Sequence, residues 1–307
     1  MKNVCVPDRY IEIDGLASMT AYAELLNKIG KPAVAMSRAL FNASVPNEMR
    51  QWSFDVRTTK PQADDAFILV DFSNPDWLTY WMDENRVEEV IDHRPGHENY
   101  WRAKIEDKAQ IEPIGAAATL ILEKWRDAGQ LENMSETSAR LIACAILDQT
   151  LDFQADITTE RDHTAYDDCL TRANFGGDLR EWYFKACQAE IERDLEKSIK
   201  DDTKFDWKVP SFDAPMDMAQ LAVWEGKDFL TKYGREIVKI LGDKSWLLNL
   251  IDISAGKSQF LTNDWAIAKV ITELTGAQFD DNGLLAIADR PWLRKEILRK
   301  GMEHAKS

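Results

Sequence analysis

The segment RVEEVIDHRPGHENYW, at residues 86–101, places Asp92, His93, Arg94 and His97 directly after an apolar run. The chain contains four histidines, and two of them lie in this segment. Carboxylate and imidazole groups are common ligands of divalent metal ions. The segment is therefore a candidate metal site, and a purely structural histidine is the alternative.

Further carboxylates follow three other apolar segments. Asp14 follows the first such segment, Asp71 ends the run AFILVD and Asp148 ends the run CAIL. Ligands of open parallel sheets collect outside the carboxyl ends of the strands, so we expect these carboxylates and His93 to share one edge. Crowded carboxylates repel one another unless cations hold them. Aspartates with one histidine suit Mn²⁺ or Mg²⁺, whereas structural zinc favours thiolates. Taken singly, Asp71 could instead cap the segment after it, and Asp148 could begin a turn.

The hydrophobic pattern predicts that strands and helices alternate through about residue 125. The run AFILVDFS is almost wholly apolar, which is typical of a strand buried on both faces of a parallel sheet. The other predicted strands are NVCVP, KPAVAMS and VEEVIDH. The predicted helices are GLASMTAYAELLNKIGK, DWLTYWMDE, IGAAATLILEKWRDAG and ETSARLIACAILDQTLDF, the last of which ends near Asp148. This order predicts an α/β fold with a doubly wound parallel sheet.

The second half of the chain has a different pattern. A charged helical connector, DLREWYFKACQAEIERDLEKSIKDD, precedes strands in AQLAVWEG, WLLNLIDIS and GLLAIAD. Helices in KDFLTKYGREIVKILG and NDWAIAKVITELTG separate these strands. We therefore predict an N-terminal domain over residues 1–178, a helical linker or hinge over 179–202, and a smaller C-terminal α/β domain with a mixed sheet over 203–307.

The composition is that of a soluble globular protein, with 45% hydrophobic and 30% charged residues. The formal net charge of −15 repels polyanions, which argues against nucleic acid as a stable partner. No apolar run approaches the ~18 residues of a membrane span, and the first residues lack the apolar run of a signal peptide. We expect a cytoplasmic protein without a membrane partner.

Five segments, in this order, resemble the motifs of the DHH phosphoesterase superfamily: EIDGLAS, FILVDFSNPD, VEEVIDHRPGH, EPIGAAATLILE and ACAILDQTLDFQADITTERD. The resemblance covers about residues 2–170. Arg94, in the third position of the Asp-His-His motif, resembles the prune and exopolyphosphatase branch more than the bacterial pyrophosphatases. The C-terminal half is more weakly similar to the second domain of manganese-dependent inorganic pyrophosphatases and exopolyphosphatases. A Gly-Gly-Gly-His signature of the branch that cleaves short oligonucleotides and cyclic dinucleotides is missing.

The resemblance implies an enzyme that hydrolyses phosphoanhydride bonds of pyrophosphate or short polyphosphate, a small anionic substrate. Two Mn²⁺ or Mg²⁺ ions would activate a water molecule between them. Asp71 would bridge the two ions, and Asp92 would orient His93 or its water. The other ligands would be Asp14, His93 and Asp148 for one ion, and Asp8 and Glu12 for the second.

Substrate contacts are implied as well. Arg94 stands where the motif has a second histidine that contacts phosphate, and its fork of N–H donors suits phosphate oxygens. The C-terminal domain would close over a site in the cleft between the domains. Its candidate contacts are Lys204, in IKDDTKFDW, and Arg290, Arg294 and Lys295, in ADRPWLRKEIL. His97 has no role implied by the resemblance, so a phosphate contact and a plain loop position both stay open.

The first motif departs from the family pattern His-x-Asn-x-Asp-x-Asp. The segment DRYIEID places Asp8, Tyr10, Glu12 and Asp14 on those four positions. An all-carboxylate set is harder and should tolerate Mg²⁺ better. The alternatives are a non-catalytic relative whose first metal site has decayed, and a phosphodiesterase acting on short oligonucleotides or cyclic dinucleotides. The oligomeric state is open between a monomer and a homodimer.

Overall fold

A computed structural model describes residues 1–207, 215–282 and 284–304 of the chain. The chain divides into two compact units, Met1–Arg180 and Glu181–Ser307. The predicted connector contains two helices: Leu179–Arg193 begins two residues before the boundary between the units, and Leu195–Asp201 lies in the second unit. Within the described residues, no helix has both the length and the apolar character that a bilayer crossing requires.

The first unit is built on a five-stranded parallel sheet. The order of its strands is β2-β1-β3-β4-β5, and every neighbouring pair is parallel. The strands are β1 (Lys2–Cys5), β2 (Ala33–Met36), β3 (Ala66–Val70), β4 (Val87–Asp92) and β5 (Ala109–Ile111). This confirms the predicted parallel sheet, to which β5 is an unpredicted addition. The strand order reverses between β1 and β3, and such a switch point is where open α/β sheets bind ligands.

The helices of this unit are α1 (Ile13–Lys28), α2 (Glu98–Ile105), α3 (Ala117–Asp127), α4 (Glu136–Gln149) and α5 (Glu160–Ala173). Helix α1 packs against both α3 and α4. The indole N–H of the fully buried Trp125, in α3, donates to the carbonyl of Ala21, in α1, at 3.1 Å. Residues 141–147 of α4 are all buried, as the apolar sequence of this helix predicts.

The predicted helix in DWLTYWMDE is wrong. The structure has two short 3₁₀ segments here, Pro75–Trp77 and Glu84–Arg86, with irregular backbone between them. The adjacent residues Trp81 and Met82 are both buried, while Tyr80 is 83% exposed. Together with Trp77 and Leu78, which pack against the same core, these buried positions have the spacing of one helical face, so the hydrophobic pattern alone does not exclude a helix here. The first 3₁₀ turn is instead fixed locally by Asn74, whose side chain accepts a hydrogen bond from the backbone of Asp76.

The second unit contains a mixed six-stranded sheet of order β10-β11-β9-β8-β7-β6. Strands β7 and β8 pair in parallel, and the other described neighbours pair in antiparallel fashion. The strands are β6 (Thr203–Trp207), β7 (Met216–Val223), β8 (Trp246–Asp252), β9 (Lys257–Thr262), β10 (Gln278–Phe279) and β11 (Leu285–Ile287). The helices are α6 (Leu179–Arg193), α7 (Leu195–Asp201), α8 (Gly226–Leu241), α9 (Trp265–Thr275) and α10 (Arg294–His304). This confirms the predicted mixed sheet, and β6, β9 and β10 are additions to the predicted strands.

Candidate metal centre

Three buried side chains meet at the switch point of the first unit. Asp14, Asp71 and His93 each offer one ligand atom, and these atoms all lie within 4.8 Å of one another. The Nε2 atom of His93 is 3.8 Å from Oδ2 of Asp14 and 3.6 Å from Oδ1 of Asp71. These distances are longer than hydrogen bonds. They match the roughly 3 to 4 Å that separates ligand atoms around an ion bound at ~2.1 Å.

The sheet positions two of these ligands directly. Asp71 follows β3 and His93 follows β4, so both stand at the carboxyl edge of the sheet. The backbone of Asp71 has φ = 57°, in the left-handed region. Aspartate adopts this region more readily than most residues, but a position there still costs about 1–3 kcal/mol. The surrounding fold enforces this backbone at a residue that the site needs.

Asp14 is held by a different element. It lies in the first turn of α1, and its two carboxylate oxygens accept hydrogen bonds from the backbone N–H groups of Ala117 at 2.9 Å and Ala118 at 2.8 Å. Those groups belong to the first turn of α3, whose own N-cap residue, Ala116, makes no side-chain cap. Asp14 therefore caps α3 from another helix, where the unpaired N–H groups and the helix dipole favour a negative charge.

A buried aspartate fixes the start of α3 in turn. Asp162 accepts hydrogen bonds from the backbone N–H of Gly115 at 3.1 Å and from the hydroxyl of Thr119 at 2.7 Å. It also accepts from the backbone and the hydroxyl of Thr159, both at 2.8 Å. A Cβ atom at Gly115 would lie 2.7 Å from the Asp162 carboxylate, so only glycine fits there. This contact explains the stretch GAAAT: its glycine and threonine hold α3 where its N–H groups reach Asp14.

The ring of His93 is oriented by the backbone. Its Nδ1 atom lies 3.1 Å from the carbonyl oxygen of Ile114, which can only accept, so Nδ1 carries the proton and Nε2 faces the two carboxylates. Asp92 contacts the backbone instead, because its Oδ1 accepts from the N–H groups of His93 at 2.8 Å and Arg94 at 3.2 Å. Asp92 thus fixes the turn that carries His93, and its role in orienting the ring of His93 stays a prediction.

Burial dominates the electrostatics of the cluster. It raises the pKa of Asp14 to about 7, against the opposing effects of the Ala117 and Ala118 N–H groups and of Arg94. It also raises the pKa of Asp71 well above its ordinary value, and the nearby carboxylates of Asp14 and Glu12 add to this shift. A divalent cation would remove the repulsion and displace the protons, since metal binding favours deprotonated ligands. Two carboxylates and one imidazole are a donor set that fits Mn²⁺.

Arg94 lies against this cluster. Its guanidinium is 2.8 Å from Oδ1 of Asp71 and 2.7 Å from Oε1 of Glu12, and it also donates to the main-chain carbonyl of Asp71. Oδ1 of Asp92 is 3.8 Å away. Burial alone would lower the pKa of Arg94, but the carboxylates around it outweigh burial and raise that pKa. Arg94 thus lies beside the three-ligand group with carboxylates as its partners, and its predicted contact with phosphate stays a prediction.

Three other predicted ligands lie outside the three-ligand cluster: Glu12, which is paired with Arg94, and Asp8 and Asp148. Asp8 accepts hydrogen bonds from the indole N–H of Trp81 at 2.6 Å and from the backbone N–H of Arg38 at 3.1 Å. Asp148 lies in the last turn of α4, where its Oδ2 is 3.3 Å from the side-chain amide of Gln149. Asp148 lies at the end of a helix, as the sequence predicts, so the argument from strand ends does not apply to it, and its role as a metal ligand stays a prediction.

His97 precedes α2, and its carbonyl accepts the backbone N–H of Trp101 at 3.1 Å. In the second unit, Lys204 is exposed in β6 and Lys295 is exposed in the first turn of α10. Arg294 is paired with Asp202 at 2.7 Å, and Arg290 with Glu296 at 3.3 Å. The two arginines therefore have carboxylate partners within their own unit.

A cavity of about 130 Å³ adjoins the cluster and is lined in part by Glu12, Asp71 and Arg94. Arg9 and Trp77 also line it, and the Arg9 guanidinium carbon lies 5.2 Å from the centre of the Trp77 ring. Neither residue is among those predicted from the sequence. The available signal was an arginine inside the otherwise acidic segment DRYIEID, which places a cation next to the predicted ligands.

No protein-family model matches the chain. The curated proteins to which the chain is similar include two that are each named "probable manganese-dependent inorganic pyrophosphatase". The protein from Bacillus licheniformis is 27% identical over 160 residues, which are 49% of this chain and 48% of that protein. The protein from Exiguobacterium is 24% identical over 264 residues, which are 82% of this chain and 81% of that protein. The chain thus spans about half the length of the first relative and about four fifths of the second.

Two solved structures share the fold. One, from Methanococcus jannaschii, is described as a family II inorganic pyrophosphatase; it is 18% identical, with a TM-score of 0.60 and coverage of 99% of both chains. The other is an exopolyphosphatase-related protein from Bacteroides fragilis, 12% identical, with a TM-score of 0.50 and coverage of 99% of this chain and 92% of that one. These matches confirm the predicted fold class and the resemblance to manganese-dependent pyrophosphatases and exopolyphosphatases.

Proposed function

We propose that this chain is a divalent-metal-dependent hydrolase that cleaves phosphoanhydride bonds of pyrophosphate or short polyphosphate. The observation that carries the proposal is the buried group of Asp14, Asp71 and His93, spaced to surround one ion beside a cavity. The similarity to proteins named manganese-dependent inorganic pyrophosphatase supports both the metal and the substrate class.

The residues of the first unit divide the chemistry between them. Asp14, Asp71 and His93 would hold the ion. A bound Mn²⁺ or Mg²⁺ supplies positive charge to the phosphoryl oxygens and lowers the pKa of a water molecule. Arg94 and Arg9, which line the cavity, place cationic N–H donors where phosphate oxygens would bind. The N–H groups of α3 and the carbonyl of Ile114 keep Asp14 and His93 in place as the charge on the substrate changes.

Several finer expectations stay predictions. They are a second ion held by Asp8, Glu12 and Asp71, a water molecule activated between two ions, Asp148 as a further ligand, and Mg²⁺ in place of Mn²⁺. The substrate contacts of His97, Lys204, Arg290, Arg294 and Lys295 are predictions too, as are the domain bounds, the cytoplasmic location, the absence of a stable nucleic-acid partner and the monomeric or homodimeric state.

The test is phosphate release by purified, metal-stripped protein supplied with Mn²⁺ or Mg²⁺. The substrates are pyrophosphate, tripolyphosphate, long polyphosphate and a linear dinucleotide. We expect metal-dependent release from pyrophosphate or tripolyphosphate. Cleavage of the dinucleotide alone would favour the phosphodiesterase alternative, and bound metal without turnover of any substrate would favour a binding protein.

A matched pair of variants shows whether the activity belongs to this site. Asp71→Asn removes a ligand charge and keeps a residue type that tolerates positive φ. Asp76→Asn changes an exposed carboxylate in the same segment. We expect Asp71→Asn to abolish phosphate release and Asp76→Asn to retain it, with unchanged circular dichroism in both. Retained activity in Asp71→Asn would refute the proposed site.

A further inference from the structure

We infer that the guanidinium of Arg94 takes the place of a second metal ion, so that the site works with one divalent ion and one cation supplied by the chain. The inference rests on the proposed function and concerns the number of ions. The sequence predicts two ions. The structure favours one, because the carboxylates predicted to hold the second ion already have other partners.

Two of those carboxylates are already joined by a cation. The guanidinium reaches Oδ1 of Asp71 through Nη1 at 2.8 Å and Oε1 of Glu12 through Nη2 at 2.7 Å. Asp71 is the residue expected to bridge two ions, and Glu12 is a predicted ligand of the second. A guanidinium with one nitrogen on each carboxylate occupies the space between them that a second ion would need.

The third carboxylate predicted to hold the second ion, Asp8, already accepts two hydrogen bonds within the fold. Asp8 accepts the indole N–H of Trp81 at 2.6 Å, and Trp81 is 4% exposed. A buried indole N–H that loses its acceptor destabilises the fold, because no other hydrogen bond replaces the lost one. The backbone N–H of Arg38 holds the other oxygen of Asp8 at 3.1 Å. Turning Asp8 toward a metal would therefore disturb two hydrogen bonds, one of them to a buried tryptophan.

The carboxylates at the site do not require a second divalent ion. One divalent ion and one guanidinium carry three positive charges, one fewer than the four carboxylates of Asp14, Asp71, Glu12 and Asp92, whereas a second divalent ion would leave one positive charge in excess. Among the described residues, the side chains spaced for a metal form one group, and it contains neither Asp8 nor Glu12. A guanidinium can neutralise phosphate oxygens through its N–H donors but cannot activate water as a metal does. In this arrangement the single ion would activate water, and the ion and Arg94 together would neutralise the charge of the phosphate oxygens.

The test counts Mn²⁺ ions without substrate. Metal-stripped wild-type protein is titrated with Mn²⁺, and bound ions are counted by equilibrium dialysis and by electron paramagnetic resonance. We expect one Mn²⁺ per chain at saturation, with the six-line spectrum of an isolated ion. Two ions per wild-type chain, with the broadened spectrum of a coupled pair, would overturn the inference.

The variant Arg94→Gln removes the guanidinium and frees Glu12 and Asp71. We expect it to bind two Mn²⁺ per chain, the second more weakly, and a variant that stays at one ion would overturn the role given to Arg94. Arg38→Gln, an exposed arginine whose side chain contacts Tyr80, is the matched control and should bind one ion. If Arg94→Gln does not fold, as judged by circular dichroism, the wild-type count decides alone.

This experiment separates the inference from the proposed function. A chain that binds one Mn²⁺ but releases no phosphate from any substrate refutes the proposed function and retains the ion count. A chain that hydrolyses pyrophosphate with two bound ions supports the proposed function and refutes the single-ion inference.

Discussion

Each unit contains buried carboxylates, but the two sets are arranged differently. In the second unit, Asp252 is 5% exposed, and its oxygens accept hydrogen bonds from the hydroxyl of Ser254 at 3.2 Å, the backbone of Ala255 at 3.0 Å and the amide of Gln259 at 3.3 Å. In the first unit, Asp14, Asp71 and His93 face one another at distances beyond hydrogen bonding. Buried polar groups are normally satisfied by protein partners. Spacing, rather than burial, therefore distinguishes a candidate ligand site from a structural cluster.

The largest expected contrast is between Asp71→Asn and Asp252→Asn. Asp71→Asn should weaken Mn²⁺ binding by more than roughly a hundredfold, because it removes the charge of a ligand. Asp252→Asn should leave Mn²⁺ binding unchanged and lower the free energy of unfolding by about 1–2 kcal/mol. Asparagine keeps one oxygen that can accept from Ser254 and Ala255, but it replaces the oxygen that accepts from Gln259 with an N–H donor. Calorimetric Mn²⁺ titration and urea denaturation measure the two effects. Similar Mn²⁺ affinities for the two variants would show that Asp71 is not a metal ligand.

Within the segment DHRPGH, the two histidines should behave differently. His93→Ala should weaken Mn²⁺ binding by roughly a hundredfold or more, since loss of even a ligand's hydrogen-bond partner costs about ten- to a hundredfold. His97 lies before α2, outside the ligand group, so His97→Ala should retain the wild-type affinity. Mn²⁺ titration of the two variants checks this, and a large loss in His97→Ala would extend the site beyond the three ligands.

Substitution of Asp162, whose hydrogen bonds hold the start of α3, should lower the stability of the fold. Asp162 is fully buried and accepts four hydrogen bonds, from Gly115, Thr119 and twice from Thr159. Asp162→Ala should therefore lower the free energy of unfolding by roughly 3 kcal/mol, since it leaves several buried donors unpaired. Asp167→Ala, at an exposed position of the same helix, is the control and should change it by less than about 0.5 kcal/mol. Urea denaturation of metal-free protein measures both.

The smallest effect is expected at Asp148. The sequence predicts it as a ligand, whereas the structure places it in the last turn of α4, outside the three-ligand group. We expect Asp148→Asn to weaken Mn²⁺ binding by less than tenfold, below the roughly ten- to hundredfold loss at a ligand or its direct partner. A loss as large as that of Asp14→Asn in parallel titrations would restore Asp148 to the ligand set.

Much of the fold and the centre of the site follow from local sequence patterns. The strands that precede Asp71 and His93 are short apolar runs, and parallel strands bring their carboxyl ends to one edge. Asp71 and His93 are therefore predictable as neighbours from the sequence alone. Asp14 is predictable as a candidate ligand, but its anchor is not, because the N–H groups that hold it lie 103 and 104 positions later in the chain.

The partners of the other predicted site residues depend on contacts between distant parts of the chain, which a local sequence pattern does not predict. The pairing of Asp8 with Trp81 joins residues 73 positions apart, across a segment whose helical prediction was wrong. The pairing of Arg94 with Glu12 spans 82 positions. In both cases the residue type indicated chemistry, but the partner decides which chemistry is available. A carboxylate predicted as a metal ligand became the acceptor for an indole because a buried N–H needs one.

The left-handed backbone at Asp71 also limits how this protein can change over evolutionary time. Most side chains would strain that position, whereas glycine and asparagine would fit it with little cost. The substitutions that the backbone tolerates best are thus the ones that remove the ligand charge. A lineage released from selection for catalysis would pass through Asn or Gly at residue 71 and retain its fold. Among relatives of this chain, the residue type at this one position should therefore distinguish working enzymes from folded descendants that have lost the metal.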